Sequence, residues 1–305
     1  MESKLYIFSK KKLKNSRDRV AIRNTGGHFL FNEINKRLTE RLLLIKKKNF
    51  TILELGSRTG TTLKNLPKEK NIKKFFFTDI SHKMLIKAKE KIIFNNSIKN
   101  KVFINLNEEK IPFKEKVFDL VLSNLYLHWS NNFFECLNEI NRILKPNGLF
   151  LASFFGNETL KELKYSLYKA ESELTNEVTP RVSSFLTMQQ TGSLLQNVGF
   201  NLPVVDKDII KIFYKDIFDL MQDIKLMGGN NNFIGRKKIS MSNKIFNMAN
   251  KIYKKKFSKV NKIYATYEIL YLIGWKKHSS QQKPKRPGSA KKRLADVLSS
   301  KEHNL

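Results

Sequence analysis

The sequence predicts an α/β fold: a doubly wound, mostly parallel sheet with a C-terminal antiparallel strand pair and helical cap insertions. Three observations carry that expectation. Short apolar runs alternate with helix-spaced segments from about residue 50 to residue 155. The first of these runs, residues 52–55, bends into a turn bracketed by Gly56 and Gly60. Two further strand-like runs, 204–214 and 264–275, come late in the chain, where they suit an antiparallel pair closing the sheet.

Taken in order, residues 1–26 are polar and basic, and the alternating charges around Arg17-Asp18-Arg19 read as a solvated helix face. Residues 28–45 place Phe29, Leu30, Ile34, Leu38 and Leu42 at helical spacing, an amphipathic helix. The second strand, 74–78, carries Phe75-Phe76-Phe77 and ends at Asp79; Ser81 then caps a helix holding Met84, Leu85 and Ala88. Strands at 102–104 and 118–122 follow, the latter apolar throughout, as a strand covered on both faces should be. A helix over 133–144 is stopped by Pro146-Asn147-Gly148 before a fifth strand at 149–155. Asn157 or Thr159 starts a helix running to 173, broken by Thr179-Pro180-Arg181; residues 187–197 form another, closed by Gly199. Leu294 and Val297 suggest a short helix in a loop-like tail. The expected organisation is an N-terminal basic segment and helix (1–45), a nucleotide-type core (46–156), cap helices with one returning strand (157–263), the last sheet strand (264–278) and the tail (279–305).

The chain has 305 residues and a formal net charge of +31. Lysines are spread along it without the aromatic interleaving that stacks bases, which disfavours a nucleic-acid face and favours a solvated lysine-rich surface. The single cysteine, Cys136, excludes an internal disulfide and sits among apolar helix residues as a core side chain. No apolar run reaches the roughly 20 residues of a membrane helix, and no cleavable leader is legible at the start. The expected location is a bacterial cytoplasm, compatible with peripheral association at the inner face of the membrane.

Ligands of doubly wound sheets bind beyond the carboxyl ends of the strands. Strand one ends in Glu54-Leu55-Gly56-Ser57-Arg58-Thr59-Gly60, strand two in Asp79, and strand four in Ser123-Asn124. A carboxylate at Asp79 is positioned to accept two ribose hydroxyls. The spacing E-x-G-x-x-x-G differs from the dinucleotide fingerprint G-x-G-x-x-G. It resembles instead the first motif of the S-adenosylmethionine (SAM) methyltransferases, D/E-x-G-x-G-x-G, with Arg58 where the middle glycine stands. Asn107-Glu108-Glu109-Lys110-Ile111-Pro112-Phe113 before Phe118-Asp119-Leu120-Val121 resembles the family's D-x-E-x-L-P-F and F-D-L-V segments. Lys145-Pro146-Asn147-Gly148 resembles its L-K-P-G-G turn. This resemblance implies S-adenosyl-L-methionine as cofactor, in a Rossmann-like site made by Glu54, Gly56, Arg58, Gly60, Asp79, Ile80, Met84, Asn107, Glu108, Ser123 and Asn124. The adenine amino group would meet Asn107. Arg58 has two readings: its cation meets the methionine carboxylate, or the side chain leaves the loop for solvent.

Further segments narrow the likeness. Ser123 to Trp129, Phe154 to Leu163, Thr179 to Phe185, Leu226-Met227-Gly228-Gly229-Asn230 and Gly274-Trp275 look like the mitochondrial complex I assembly factor 5 family and its alphaproteobacterial relatives. These are cousins of the malonyl-carrier-protein methyltransferase of biotin synthesis. The resemblance implies an enzyme acting on a protein partner, an arginine of a respiratory NADH dehydrogenase subunit, by methyl transfer or hydroxylation. The alternatives are O-methylation of a carrier-protein-bound acid, or a non-enzymatic SAM-binding scaffold. No catalytic residue stands out; His128, Trp129 and Arg181 are the substrate-pocket candidates. His128 is expected to titrate near neutrality and serve a proton transfer. The five scattered histidines give no two-His-one-carboxylate spacing, so no metal is inferred.

Overall fold

A computed structural model describes residues 6–23, 29–92, 98, 100–175, 178–234, 242–282, 288, 289, 292 and 297. Eight strands are described: β1 (Asn49–Leu55), β2 (Asn71–Asp79), β3 (Lys101–Asn105), β4 (Phe118–Asn124), β5 (Leu144–Phe155), β6 (Asn201–Tyr214), β7 (Ser258–Lys259) and β8 (Lys262–Trp275). They form one sheet in the order β3-β2-β1-β4-β5-β8-β6, with the two-residue β7 paired to β8. Neighbours from β3 to β5 are parallel, while β8 runs antiparallel to both β5 and β6. The order reverses between β1 and β4, so the crevice at their carboxyl ends is the topological switch point.

Nine α-helices surround the sheet: α1 (Lys10–Arg23), α2 (Phe29–Glu40), α3 (Thr62–Asn65), α4 (His82–Ile92), α5 (Phe133–Ile143), α6 (Lys161–Thr175), α7 (Met188–Asn197), α8 (Ile217–Met227) and α9 (Asn243–Lys256), counted among the described residues. Side chains of a strand alternate between faces, and the core divides accordingly. Ile52, Leu120, Leu151, Ile269 and Tyr271 join one apolar cluster with residues of α2, α4, α6, α8 and α9. Their neighbours Leu53, Val121, Phe150, Leu270 and Leu272 join the other, with Leu13 of α1 and residues of α5 and α7. Every residue of β4 is buried, which is why its sequence is unbroken by solvent-facing positions. Cys136 is buried in the second cluster.

The local signals act as read at several ends. Ser81 accepts from the Met84 amide, and Thr187 with Gln190 completes a capping box at α7. Three expectations need correction. The helix over 157–173 begins only at Lys161, because residues 157–160 form a turn fastened to β8: the Glu158 amide donates to Glu268 and Leu160 adopts φ +57°. Pro146-Asn147-Gly148 does not stop α5, which ends at Ile143. Those residues lie within the opening of β5, where Asn147 takes φ +58° and pairs with the Lys276 carbonyl. The third correction concerns the N-terminus. Lys11, Lys14, Asn15 and Arg19 of α1 face solvent, but Leu13, Ser16, Arg17 and Ala21 form a buried face, and Arg17 is only 2% exposed. Leu294, proposed for a tail helix, lies outside the described residues.

Candidate functional site

The turn after β1 is shaped by close approach. Gly56 has φ +76°, and a Cβ there would lie 2.2 Å from Cγ of Tyr126; Gly60 has φ +71°, and its Cβ would meet Cδ1 of Ile92 at 2.2 Å. No other residue fits either place without moving a neighbour. Arg58, between them, also takes a left-handed conformation, φ +49°. That conformation accounts for the glycine in the family pattern, since an L side chain held there costs on the order of 1–2 kcal/mol.

The turn and Asp79 do face one another. Gly56 and Ser57 donate their amides to the Thr78 carbonyl, at 2.9 and 2.8 Å, and the Arg58 amide reaches Oδ2 of Asp79 at 3.1 Å. The Asp79 carboxylate is already engaged, however. Arg17 of α1 places its guanidinium 2.5 Å from Oδ2 and 4.4 Å from the centre of the Tyr126 ring, while Oδ1 accepts from the Ser81 amide. Lys10, two turns earlier on α1, contacts the buried Glu108, whose other oxygen accepts from the Tyr126 hydroxyl, and lies 2.9 Å from Glu109. α1 is therefore a strap across the carboxyl ends of β2 and β3, and its sequence alone had suggested a solvated face.

The Arg58 side chain does not leave the loop for solvent. The residue's backbone stays in the turn, and its guanidinium lies 3.9 Å over the Phe31 ring and donates to the Met227 carbonyl at 3.1 Å. It is half-buried, and desolvation, with Arg17 adding like charge, pulls its pKa down to about 9, so it remains a cation at neutral pH. Among the described residues no carboxylate pairs with it. Glu54 is its counterpart. Thr62 donates to one Glu54 oxygen, whereas Oε2 is buried with no partner, and desolvation pushes the carboxyl up to about 7. Glu54 and Arg58 line one small hollow with Gly56, Thr62 and Asn124. A buried acid with an unpartnered oxygen and a half-buried cation with no acidic partner among the described residues, lining one hollow, have the chemistry of a site for an amino-acid zwitterion.

The remaining candidates fall into two groups. Met84 is fully buried in α4, and Ile80 packs partly buried against the core. Asn107 spends its side-chain oxygen on the Glu109 amide, Ser123 donates to the Leu55 carbonyl, and Asn124 ties Phe31 to Ser153. Asp79, Ile80, Met84, Asn107 and Glu108 line none of the three described cavities, and α1 side chains occupy the Asp79 and Glu108 carboxylates. His128, Trp129 and Arg181, by contrast, share with Arg58 a cavity of about 560 Å³ that is also walled by Phe155, Phe185 and Tyr267. Arg181 is paired with Glu171 at 2.7 Å. His128 packs against Trp129, Phe155 and Phe185, and its Nδ1 is buried without a hydrogen-bond partner. The expectation of a near-neutral His128 is overturned: desolvation, then the nearby Arg17 and Arg58 charges, lower its pKa to about 3, so the ring is neutral at physiological pH. Among the described residues no group of three or more His, Cys, Asp or Glu side chains is placed to hold a metal ion.

Residues 53–152, the segment holding this turn and strands, match the methyltransferase domain family. The protein named "Arginine-hydroxylase NDUFAF5, mitochondrial" in Homo sapiens is 37% identical over 263 residues, covering 86% of this chain and 74% of that protein. The chain belongs to the NDUFAF5 family. Its Dictyostelium discoideum member is 39% identical over 282 residues; the match takes in 88% of this chain and 64%, less than two thirds, of that relative. A malonyl-[acyl-carrier protein] O-methyltransferase of Methylovorus is 29% identical over 283 residues, covering 90% and 92% of the two chains. The crystal structure of the YcgJ protein from Bacillus subtilis superposes with a TM-score of 0.54 at 14% identity, covering 79% of this chain and 98% of that one, a likeness of fold alone. Membership in this methyltransferase-fold family implies S-adenosylmethionine as cofactor. The residues present fit that group. Glu54 and Arg58 carry the charges that suit its zwitterionic methionine end, whereas Asp79, the residue suited to a diol, is held by Arg17 in this structure.

Proposed function

We propose that this protein is a SAM-dependent enzyme that modifies an arginine on a protein partner, a subunit of respiratory NADH dehydrogenase, during assembly of that complex. The observation that carries the reading is the extent of identity with the relatives named arginine hydroxylase. The matches take in 88% and 86% of this chain, well beyond the segment 53–152 that holds the core motifs. The cavity chemistry supports it. A guanidinium is a planar cation with N–H donors, and it is well received between aromatic faces. Trp129, Phe155, Phe185 and Tyr267 supply the faces, and the neutral His128 ring lies among them without adding charge.

In this reading Glu54 takes the cofactor's α-ammonium, Arg58 its carboxylate and Asp79 its ribose hydroxyls. In that arrangement the cofactor's carboxylate balances Arg58, and Glu171 already balances Arg181. When bound, the cofactor supplies an electrophilic methyl on a sulfonium, and alignment of the acceptor with it is the main demand on the protein. His128 and the aromatic walls orient the acceptor and exclude water. The protein acts in the bacterial cytoplasm, where its partner subunit allows association at the inner membrane face; no helix of the described residues is long and apolar enough to cross a membrane.

A second reading, O-methylation of a carrier-protein-bound acid, is favoured by one observation: among the described residues no Asp or Glu lines the large cavity, whereas Arg17, Arg58, Arg181 and Lys225 do. Mass spectra of NADH dehydrogenase subunits from cells with and without this gene separate the two. Loss of a modified arginine, carrying either one methylene or one oxygen, supports the first reading. Unchanged subunits overturn it, and a methylated carrier-protein thioester formed in vitro would then support the second.

A further inference from the structure

Between Asp223 and Glu268 the chain holds no acidic residue. Lys254, Lys255, Lys256, Lys259 and Lys262 of that stretch lie in the last turn of α9 and on the hairpin joining β7 to β8. Ser258 pairs with Ile263 and Lys259 with Lys262, so the turn itself is Val260-Asn261, with φ +49° and +58°. A two-residue turn with both positions left-handed favours Asn-Gly. Val260 is instead a β-branched residue strained at that φ, and it is 87% exposed. Lys259 and Lys262 stand directly opposite one another, a like-charge pair that repels. None of these three features helps the hairpin fold. Its base, by contrast, is firmly built. Phe257 packs edge-on against Tyr165 of α6, Tyr253 and Tyr264, and the Lys256 ammonium lies 3.9 Å over the Tyr165 ring.

We propose that this hairpin docks the protein directly on the surface of an anionic lipid bilayer, Val260 entering the headgroup region and the lysines meeting lipid phosphates. Such a surface relieves what water leaves costly. It removes the apolar tip from water and offsets the repulsion between Lys259 and Lys262. A lysine cluster alone would suit any polyanion. An apolar tip at its centre, carried on a fixed aromatic base, suits a partner that is charged outside and apolar beneath. Tyr165 and Tyr168, 38% and 56% exposed on α6, are of the residue type that settles at that boundary. Among acids on the neighbouring elements, Glu173 pairs with Lys169, and Asp216 caps α8 by accepting two amides. Leu163 and Leu167 of α6 and Phe246 of α9 wall the large cavity, so the docked face is the outer side of that wall. The proposal does not depend on which group the cavity accepts. In sequence these lysines read as a solvated surface, and only the geometry of the turn sets them apart.

The test is co-sedimentation of the full chain with phosphatidylcholine vesicles, with and without phosphatidylglycerol, in the absence of any partner subunit. Binding to the vesicles that contain phosphatidylglycerol, and none to phosphatidylcholine alone, is expected. Val260→Asn suits the turn better than valine does, so thermal stability is kept or raised. The same change weakens vesicle binding by roughly fivefold or more, the yield of one partly buried apolar side chain. Lys255→Gln with Lys259→Gln weakens it by roughly tenfold or more. Lys83→Gln with Lys89→Gln removes the same charge from exposed positions on α4, toward the opposite edge of the sheet, and changes binding by less than about twofold. No binding to phosphatidylglycerol vesicles, undiminished binding by Val260→Asn, or equal weakening by the α4 pair overturns the proposal. Capture of duplex DNA in place of vesicles also overturns it and makes the face a nucleic-acid surface.

Discussion

Replacing Glu54 by Gln isolates the stored electrostatic strain of the site. The folded-state pKa of Glu54 is raised from 4.5 to about 7, chiefly by desolvation. The sign follows from linkage. Between about pH 4.5 and 7 the unfolded chain has released this proton while the folded chain still holds it, so stability falls as pH rises through that window and levels off above it. A shift of about 2.5 units at 1.36 kcal/mol each amounts to roughly 3 kcal/mol, of which about 2–3 kcal/mol accrues between pH 5 and pH 8. Gln keeps the shape and an acceptor for Thr62 but cannot ionise. Urea unfolding of both proteins at the two pH values therefore gives a wild type that loses about 2–3 kcal/mol relative to Glu54→Gln on going from pH 5 to pH 8. Any fixed cost of burying the new amide cancels in that comparison. Saturating cofactor should flatten the wild-type slope, because an ammonium at Oε2 stabilises the ionised acid. Parallel stability curves for the two proteins would refute the assignment of Glu54 as a strained, unpaired carboxyl.

Two further outcomes follow from the α1 strap and the large cavity. Arg17→Ala and Asp79→Ala should each destabilise the cofactor-free protein by about 3 kcal/mol, the cost of stranding one member of a buried pair. The double substitution should cost well below the sum, and simple additivity in urea unfolding would show that the pair is not coupled. The His128 ring should show no change of protonation between pH 5 and 8 by NMR, and any pH dependence of activity in that range should survive His128→Gln; a midpoint near pH 6.5 would mean the ring is solvated.

Much of the sheet was legible because each strand advertises itself locally. β4 is unbroken apolar sequence, β2 carries three consecutive phenylalanines, and the turn at Gly56 and Gly60 is demanded by backbone geometry that few other residues tolerate. Asp79 was found from its place at the end of an apolar run. Arg17 was not, although a signal existed: Leu13, Arg17 and Ala21 recur every four residues and so share one helix face, and both apolar flanks are buried. An arginine in the middle of an apolar stripe asks for an acid elsewhere in the fold. The path of Arg58 had no such signal, since Phe31 and the Met227 carbonyl are brought to it by segments far away in sequence. His128 was misjudged for the same reason, because the burial and the two arginines that hold it neutral are tertiary facts.

The account stands on the cofactor binding at the turn after β1, where Glu54 and Arg58 line one hollow and Asp79 accepts from the Arg58 amide. Calorimetric titration with S-adenosylmethionine tests it directly. Saturable one-site binding is expected, weakened by about 1–3 kcal/mol in Asp79→Ala through loss of two hydrogen bonds. Arg58→Gly should also weaken it, even though that change relieves a left-handed backbone. Absence of heat with both the cofactor and its demethylated product, or tighter binding by Arg58→Gly, would contradict it.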